Sequence, residues 1–218
     1  PAAALWRLGA WLRPRLSKPA RVGVPVISVG NLVAGGAGKT PTALALVRWL
    51  HDRGRHPHLI SRGHGGREAG PLRVDLARHD AAAVGDEALL LAEAAPTWIA
   101  RDRVAAAAAA VAAGAELLVL DDGHQDPRLH KDLALVVVDL DYGMGNGRLI
   151  PAGPLREPEA AGLGRADAVV AIGTPAAGTD GGAARFQKPV LRARLVPDDE
   201  AMALADKSVL AFAGIGRP

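Results

Sequence analysis

A glycine-rich segment that ends in lysine and threonine is the part of this sequence with the clearest chemical meaning. It consists of Val33, Ala34, Gly35, Gly36, Ala37, Gly38, Lys39 and Thr40. Main-chain N–H groups exposed in such a turn can hold the phosphates of a nucleotide, while a lysine ammonium reaches the β- and γ-phosphates and a threonine hydroxyl binds Mg²⁺. The usual pattern has glycine where Val33 stands, yet an ordinary turn rarely needs the remaining glycines followed by Lys-Thr. We therefore predict a nucleotide site and call residues 33–40 the phosphate loop.

Two neighbouring carboxylates, Asp121 and Asp122, follow the apolar run Leu117–Leu120. Proteins with a phosphate loop need an acidic residue at the end of a buried strand, where it supports Mg²⁺ beside the β- and γ-phosphates. Gly123 lets the chain turn after the pair, and Gln125 follows closely enough to join the same site. An aspartate at a strand end is common by itself, so this prediction depends on the phosphate loop.

A second acidic pair, Asp86 and Glu87, precedes a helix-like segment. A carboxylate here could accept the proton from an attacking hydroxyl group. An acidic residue in this position can equally cap a helix or favour its first turn. The residue pattern leaves both interpretations open.

Two loops carry arginines suited to holding phosphate groups. Residues 61–66 form a flexible, basic turn that contains Arg62, whose guanidinium can pair with a phosphate through two nitrogens. Residues 146–158 are too rich in glycine and proline for regular structure, and the alternative is a surface loop with incidental charges. The charged residues that this second loop contributes are Arg148, Arg156 and Glu157. The seven histidines form no metal-ligand pattern, so we predict no zinc site.

Strand-length apolar runs alternate with helix-like segments, which is typical of a mainly parallel sheet with helices on both faces. The predicted strands are Val24–Val29, His58–Ser61, Thr97–Ala100, Leu117–Leu120, Ala134–Asp139, Ala168–Ile172, Val190–Leu195 and Val209–Ala213. The predicted helices are Thr42–Asp52, Asp86–Ala94 and Arg103–Ala113, and Thr174–Ala184 is predicted to be a surface loop. The fold class is therefore α/β, similar to P-loop NTPases. Ligands of such sheets bind at the carboxyl ends of the strands, where the informative loops fall.

Composition limits the class of protein. The chain has 218 residues, of which 49% are apolar and 22% charged, a balance typical of a folded domain. It has no cysteine, which excludes disulfides and thiolate metal sites. No apolar run approaches the length that crosses a membrane.

The first 24 residues form a basic, amphipathic segment without an acidic residue. Such a segment can lie on a membrane surface, with Trp and Leu toward the acyl chains and Arg toward anionic headgroups. It can equally be a helix packed on the core of its own domain. The basic residues do not continue as a stripe and aromatic residues are few, so nucleic acid is not a predicted partner. The residues concerned are Arg7, Arg13, Arg15, Lys18 and Arg21 with Leu5, Leu8, Leu12, Trp6 and Trp11.

Taken together, five segments resemble the tetraacyldisaccharide 4′-kinase family, the lipid A 4′-kinases of Gram-negative bacteria. The order of all five is far more specific than the phosphate loop alone. In family order they are Pro25–Asn31 leading into Gly35–Pro41, then Ser61–Gly66, Val84–Glu87, Asp121–Asp126, and Gly145–Arg148 continuing through Pro151–Glu157.

The resemblance implies transfer of the γ-phosphate of ATP, with Mg²⁺, to the 4′-hydroxyl of a tetraacylated glucosamine disaccharide 1-phosphate. It places the reaction at the cytoplasmic face of the bacterial inner membrane, with the lipid disaccharide and the membrane surface as partners and no obligate protein partner. Two other classes remain as alternatives: a nucleotide-switched binding protein, and an ATP-dependent synthetase acting on a soluble metabolite.

The resemblance also implies roles for individual residues. Residues 33–40, Asp121, Asp122 and Gln125 would bind ATP, with Lys39 also catalytic. Asp86 would take part in deprotonating the acceptor. The predicted metal ligands are Thr40, Asp122 and Glu157, and the predicted substrate-binding residues are Arg62, Arg148, Arg156 and Glu157.

The chain departs from the family pattern in two places. His124 and Asp126 stand where the family usually has an apolar or aromatic residue and then histidine. The family also continues beyond the motif that ends at Pro218, into a region that supplies a histidine partner for the catalytic aspartate. We therefore expect a truncated form that binds ATP but phosphorylates poorly. The expected division is a candidate membrane-surface segment (1–24), a kinase domain (25–206) and the beginning of a smaller C-terminal lobe (207–218).

Overall fold

One eight-stranded sheet organises the part of the chain that this computed structural model describes, residues 18–173, 183–197, 202–203 and 207–208. The strand order is β3-β4-β2-β5-β1-β6-β7-β8, and every neighbouring pair is parallel except the antiparallel edge pair β3 and β4. The strands are β1 Val26–Gly30, β2 Pro57–Ser61, β3 Leu72–Arg73, β4 Thr97–Ile99, β5 Leu117–Asp121, β6 Leu133–Asp139, β7 Ala168–Ile172 and β8 Val190–Ala193.

Helices cover both faces of this sheet. They are α1 Lys39–His51, α2 Ala81–Val84, α3 Asp86–Ala94, α4 Arg103–Ala112, α5 Glu159–Gly164 and α6 Ala183–Phe186. Strand β5 shows the two-sided packing, because Val119 belongs to the apolar cluster beneath α1 and α3, whereas Leu118 and Leu120 belong to the cluster beneath α4. Alternate residues of a strand point to opposite faces, so a strand buried on both sides is apolar throughout. The predicted α/β class is confirmed.

Helix α4 owes its close approach to the sheet to its alanines. Ala106, Ala107 and Ala110 are completely buried against β2 and β5 residues of the same cluster. Alanine has high helix propensity and loses no side-chain entropy on burial, so this stretch favours a helix. Its small side chains also allow the helix backbone to pack closely on the sheet.

The predicted strands and helices that fall on described residues are confirmed, and most of their predicted boundaries lie within two residues of the observed ones. Helix α1 is an exception, because it begins three residues earlier than predicted, at Lys39. The predicted loop Thr174–Ala184 is wrong at its end, where α6 begins at Ala183; residues 174–182 lie outside the described residues. The pattern missed the short elements β3, α2, α5 and α6. The predicted strand Val209–Ala213 and residues 1–17 also lie outside the described part, so both interpretations of the N-terminal segment and the expected domain boundaries remain predictions.

Strand β1 lies at the centre of the sheet, between β5 and β6. The loops that leave the carboxyl ends of β1 and β5 are therefore neighbours, although their residues are far apart in sequence. Within the described residues, no helix has the length and apolar character needed to cross a bilayer.

Candidate active site

The phosphate loop connects β1 to α1 and opens toward solvent. Gly38 has φ 79°, and a side chain there would overlap Ile172, so only glycine fits this turn without strain. Thr42 binds the carbonyl of Gly38 through both its backbone N–H (3.1 Å) and its hydroxyl (2.7 Å), which closes the first turn of α1. Gly35 and Gly36 are exposed, with open space where a side chain would be. The helix N-terminus and the open glycines form a cradle suited to phosphate.

Val33, the departure from the usual glycine pattern, has a packing role. It is buried and forms an isolated antiparallel bridge with Leu155, and both side chains belong to one apolar cluster. The next residue, Ala34, donates its N–H to the Pro154 carbonyl at 2.7 Å. The first half of the phosphate loop is therefore supported by the 146–158 loop, and Val33 is not among the residues with positive φ.

Lys39 and Thr40 are the first two residues of α1, which begins three residues before the predicted start at Thr42. The Lys39 ammonium folds back over the phosphate loop and donates to the Gly35 carbonyl at 3.4 Å. The Thr40 hydroxyl donates to Oδ2 of Asp121 at 3.4 Å. The structure thus brings the phosphate loop and the end of β5 into direct contact.

Asp121 is the buried carboxylate of the site. Its side chain is 2% exposed, and Oδ1 has no hydrogen-bond partner in the described part of the chain. Burial raises the pKa of Asp121 to about 7, and the negative charges of Glu87 and Asp122 raise it further. The charge of Lys39 and the hydrogen bond from Thr40 act in the opposite direction. A buried carboxylate oxygen without a partner, next to a threonine hydroxyl, is a donor set that suits Mg²⁺.

Protein groups alone do not form a closed metal cage here. Among the described residues, no three His, Cys, Asp or Glu side chains converge as metal ligands. Mg²⁺ commonly takes only one or two carboxylates from the protein and its other ligands from phosphates and water. The open donor set at Thr40 and Asp121 therefore fits Mg²⁺ held together with a nucleotide.

Asp122 is held differently from its neighbour. Arg156 Nη1 donates to both carboxylate oxygens, at 2.8 and 2.9 Å. Burial favours a higher pKa for Asp122, but the charges of Arg156 and Lys39 outweigh it and leave the pKa below its usual value. The sequence interpretation paired Asp122 with Thr40 as a metal ligand; the carboxylate that contacts Thr40 is that of Asp121. A metal role for Asp122 remains a prediction.

Gln125 and Glu157 join the aspartate loop to the loop before α5. Gln125 Nε2 donates to the Asn31 carbonyl at 2.7 Å and to Glu157 Oε1 at 3.0 Å. Glu157 is buried, and its other oxygen accepts a hydrogen bond from Arg165. Both residues therefore lie beside the phosphate loop, although the predicted metal contact of Glu157 remains untested.

Asp86 and Glu87 begin α3, with both side chains exposed. The N-cap is Gly85, at φ 87°, rather than Asp86, and Asp86 Oδ1 accepts the N–H of Glu87 at 2.9 Å. The charge of Glu87 contributes to the raised pKa of Asp121, so this end of α3 faces the carboxyl end of β5. Asp86 is therefore not the helix cap, but it is an acidic residue in the first turn of α3. Its exposure is also compatible with a role as proton acceptor.

The predicted substrate arginines Arg62 and Arg148 are both exposed. The loop that contains Arg62 packs tightly on the turn before Asp86, since a side chain at Gly85 would overlap the His64 carbonyl oxygen. Arg148 lies in the loop whose other end contributes Arg156. A substrate-binding role for either arginine remains a prediction.

The sequence interpretation missed two arginines that contact site residues. Arg165, at the C-cap of α5, binds Glu157, and Arg103, the first residue of α4, donates to the Asp122 carbonyl at 2.9 Å. Arg103 is 7% exposed. An arginine that opens an otherwise apolar, alanine-rich helix was the available signal, because a buried arginine almost always has a paired role.

Comparison with known proteins gives consistent matches. The family model described as LpxK, tetraacyldisaccharide-1-P 4′-kinase, matches residues 1–218. Curated relatives named tetraacyldisaccharide 4′-kinase include one from Rhodospirillum centenum, 61% identical over 100% of this chain and 65% of its own length. Another, from Paramagnetospirillum magneticum, is 57% identical over 91% of this chain and 61% of its own length.

Among solved structures, LpxK from Aquifex aeolicus in complex with ATP matches with a TM-score of 0.72 and 29% identity, covering 88% of this chain and 62% of that one. The chain spans just under two thirds of the length of the first curated relatives, 65% and 61%.

Proposed function

The chain belongs to the tetraacyldisaccharide-1-P 4′-kinase family, and from this premise we propose that the protein containing it is an ATP-dependent lipid kinase. The reaction transfers the γ-phosphate of ATP to the 4′-hydroxyl of a tetraacylated glucosamine disaccharide 1-phosphate, a step in lipid A synthesis. The observation that carries the proposal is the contact between Thr40 in the phosphate loop and the buried carboxylate of Asp121.

Binding of ATP depends on the cradle at the start of α1. Main-chain N–H groups of residues 35–40 would hold the β- and γ-phosphates, and the Lys39 ammonium, which donates to the Gly35 carbonyl here, would bind the phosphate oxygens. Fixed donors and positive charge at this position stabilise the charge that develops during transfer, which is the main demand of phosphoryl transfer.

Thr40 and Asp121 are the residues that would hold Mg²⁺, and Asp122 and Glu157 are further predicted ligands. The bound ion would neutralise part of the negative charge of the phosphates. Burial raises the pKa of Asp121 to about 7, and a cation bound beside it would favour the ionised carboxylate.

In the transfer step, the acceptor 4′-oxygen attacks the γ-phosphorus while the bond from that phosphorus to the β,γ-bridging oxygen breaks, and ADP leaves. The hydroxyl proton passes to Asp86, which is exposed at the start of α3. Asp86 precedes Glu87 in the first turn of α3, and the charge of Glu87 contributes to the raised pKa of Asp121. Arg62 and Arg148 are proposed to hold the sugar or the 1-phosphate of the acceptor.

The acceptor is a membrane lipid, so we place the reaction at the cytoplasmic face of the inner membrane, where ATP is available. The basic first 24 residues support this location by their composition. The proposed partners are the lipid disaccharide and the membrane surface.

The deciding experiment incubates the full-length protein with γ-labelled ATP, Mg²⁺ and tetraacyldisaccharide 1-phosphate, followed by identification of the lipid product. Label at the 4′-oxygen supports the proposal, and Lys39→Ala should abolish the transfer. ATP hydrolysis without labelled lipid would favour a nucleotide switch. Transfer to a soluble metabolite in place of the lipid would favour a synthetase.

A further inference from the structure

Asp126, one of the two departures from the family pattern, lies at the centre of a buried cluster of charges. Its side chain is 7% exposed and accepts hydrogen bonds from Arg128 Nη2 at 2.6 Å and Arg128 Nε at 2.9 Å. The same carboxylate accepts a hydrogen bond from Arg103 Nη1 at 3.3 Å. Burial favours a higher pKa for Asp126, but the hydrogen bonds and charges of Arg128 and Arg103 hold the pKa well below its usual value. The carboxylate is therefore ionised at neutral pH.

Arg103 connects this cluster to the active site. While Nη1 binds Asp126, Nη2 of the same guanidinium donates to the Asp122 carbonyl at 2.9 Å. The planar guanidinium sets a fixed geometry between its nitrogens, so the position of the Asp126 carboxylate determines where the second donor points.

The Asp122 peptide needs such an anchor. Asp122 has φ 52°, in the left-handed region, which costs a residue other than glycine about 1 kcal/mol. Its carboxylate is bound by Arg156, and its carbonyl is bound by Arg103. Arg156, from a loop, and Arg103, from α4, thus hold one strained residue, and Arg103 is in turn held by Asp126.

Lys131 restrains the same loop from the side of β6. Its ammonium donates to the carbonyls of His124 (3.3 Å) and Asp126. Burial lowers the pKa of Lys131 to about 8, against the charge of Asp126. The Asp126 carboxylate thus balances three buried or half-buried cations, and without it Arg103 would be left as a buried charge with only a carbonyl for a partner.

We propose that Asp126 is a positioning residue: it fixes Arg103, and Arg103 fixes the peptide of Asp122, so that Asp121 and Asp122 keep their orientation toward the phosphate loop. The inference rests on the proposed function in one respect, that these two aspartates support ATP and Mg²⁺.

The test measures ATP affinity of the full-length protein by calorimetry, once with Mg²⁺ and once with EDTA, without any lipid acceptor. Asp126→Asn keeps the shape of the side chain and removes its charge. We expect about 10-fold weaker binding of ATP with Mg²⁺, the size typical for loss of an outer-shell partner, and less than about 2-fold change with EDTA. A general loss of structure would weaken both affinities together, and that result would overturn the inference, as would unchanged affinity in both.

Arg128→Gln is the matched control. Arg128 binds the same carboxylate but is half exposed, and the contact of Arg103 with Asp122 does not pass through it. We expect both affinities to stay within about 2-fold of the parent values. A selective loss of Mg²⁺-dependent affinity as large as that of Asp126→Asn would show that any disturbance of the Asp126 ion pairs has this effect, whether or not Arg103 is involved, and would contradict the inference.

Arg103→Lys keeps the proposal testable should Asp126→Asn fail to fold. Lysine retains the charge but cannot bind Asp126 and the Asp122 carbonyl with the same fixed geometry. We expect the same selective loss with Mg²⁺, and normal Mg²⁺-dependent affinity would overturn the inference. Absence of lipid phosphorylation by the parent protein would count against the proposed function alone, since the binding comparison does not involve the lipid.

Discussion

The Thr40 hydroxyl lies 3.4 Å from Asp121 Oδ2, although the two residues are 81 positions apart in the sequence. The contact exists because β1 and β5 are adjacent parallel strands, with Val29 opposite Asp121. The N-terminus of α1, which follows β1 through the phosphate loop, therefore meets the carboxyl end of β5.

Removing the charge of Asp121 should stabilise the protein while it abolishes turnover. In the folded state the pKa is about 7, against 3.8 for an ordinary aspartate. Between these values the folded state retains a proton that the unfolded state has released, so the free energy of unfolding falls as pH rises from about 4 to 7. Asparagine does not titrate, so the unfolding free energy of Asp121→Asn should not fall over this pH range. Above pH 7 it should exceed that of the parent protein by up to about 4 kcal/mol.

Urea unfolding from pH 5 to pH 8, with EDTA and without nucleotide, measures the effect. The difference in unfolding free energy between Asp121→Asn and the parent should grow with pH and level off above about pH 7. Asp141→Asn, a change at an exposed aspartate, should show no such trend. A difference that shrinks as pH rises would contradict the prediction.

Loss of the Arg156 side chain should weaken catalysis with little loss of fold. Arg156→Gln removes the guanidinium nitrogen that donates to both oxygens of the Asp122 carboxylate. Because both side chains are partly exposed, we expect a loss of about 1–2 kcal/mol in transition-state stabilisation, or about 10-fold in kcat/KM for ATP. Steady-state kinetics at varied ATP measures this change. Arg185→Gln removes an exposed ion pair with Glu159 and should leave kcat/KM unchanged; equal losses in the two variants would refute a specific role for Arg156.

Asp86→Asn should lower kcat by about 100-fold or more, as expected for loss of a general base, with ATP affinity unchanged. The side chain is exposed, and its hydrogen bond with the Glu87 N–H is local, so the melting temperature should change little. Single-turnover transfer to the lipid isolates the chemical step.

Glu87→Gln is the comparison variant for Asp86. It removes a charge that raises the pKa of Asp121, so the acidic limb of the rate–pH profile should move to lower pH while the maximal rate is retained. Undiminished turnover in Asp86→Asn, or an equal loss of rate in both variants, would remove Asp86 from the proposed mechanism.

Restoring the usual glycine at position 33 should destabilise this protein. Val33→Gly removes a buried side chain that packs with Leu155 and adds backbone freedom to the unfolded chain. We expect a loss of about 3 kcal/mol in unfolding free energy, measured by urea denaturation. ATP affinity should fall less than 10-fold, because the exposed glycines of the cradle are unchanged. An unchanged or increased stability would show that the contact with Leu155 contributes nothing.

Much of the fold could be predicted from local pattern. Strands β1, β5, β6 and β7 are almost entirely apolar because both faces are covered, and this composition predicted their positions. The short elements β3 and α2 could not be predicted, since two to four residues carry no periodicity. The antiparallel pairing of β3 depends on its contact with β4, which no local signal encodes.

The phosphate loop could be recognised from the residue pattern, because its glycines, Lys39 and Thr40 act through adjacent backbone in one turn. The pattern also located two carboxylates at the end of β5. The partners of these carboxylates depend on packing: Asp121 contacts Thr40, whereas Asp122 binds Arg156. Local pattern cannot encode this difference, because successive residues at a strand end point in different directions, and the positive φ of Asp122 and the burial of Arg103 depend on elements packed from distant parts of the chain.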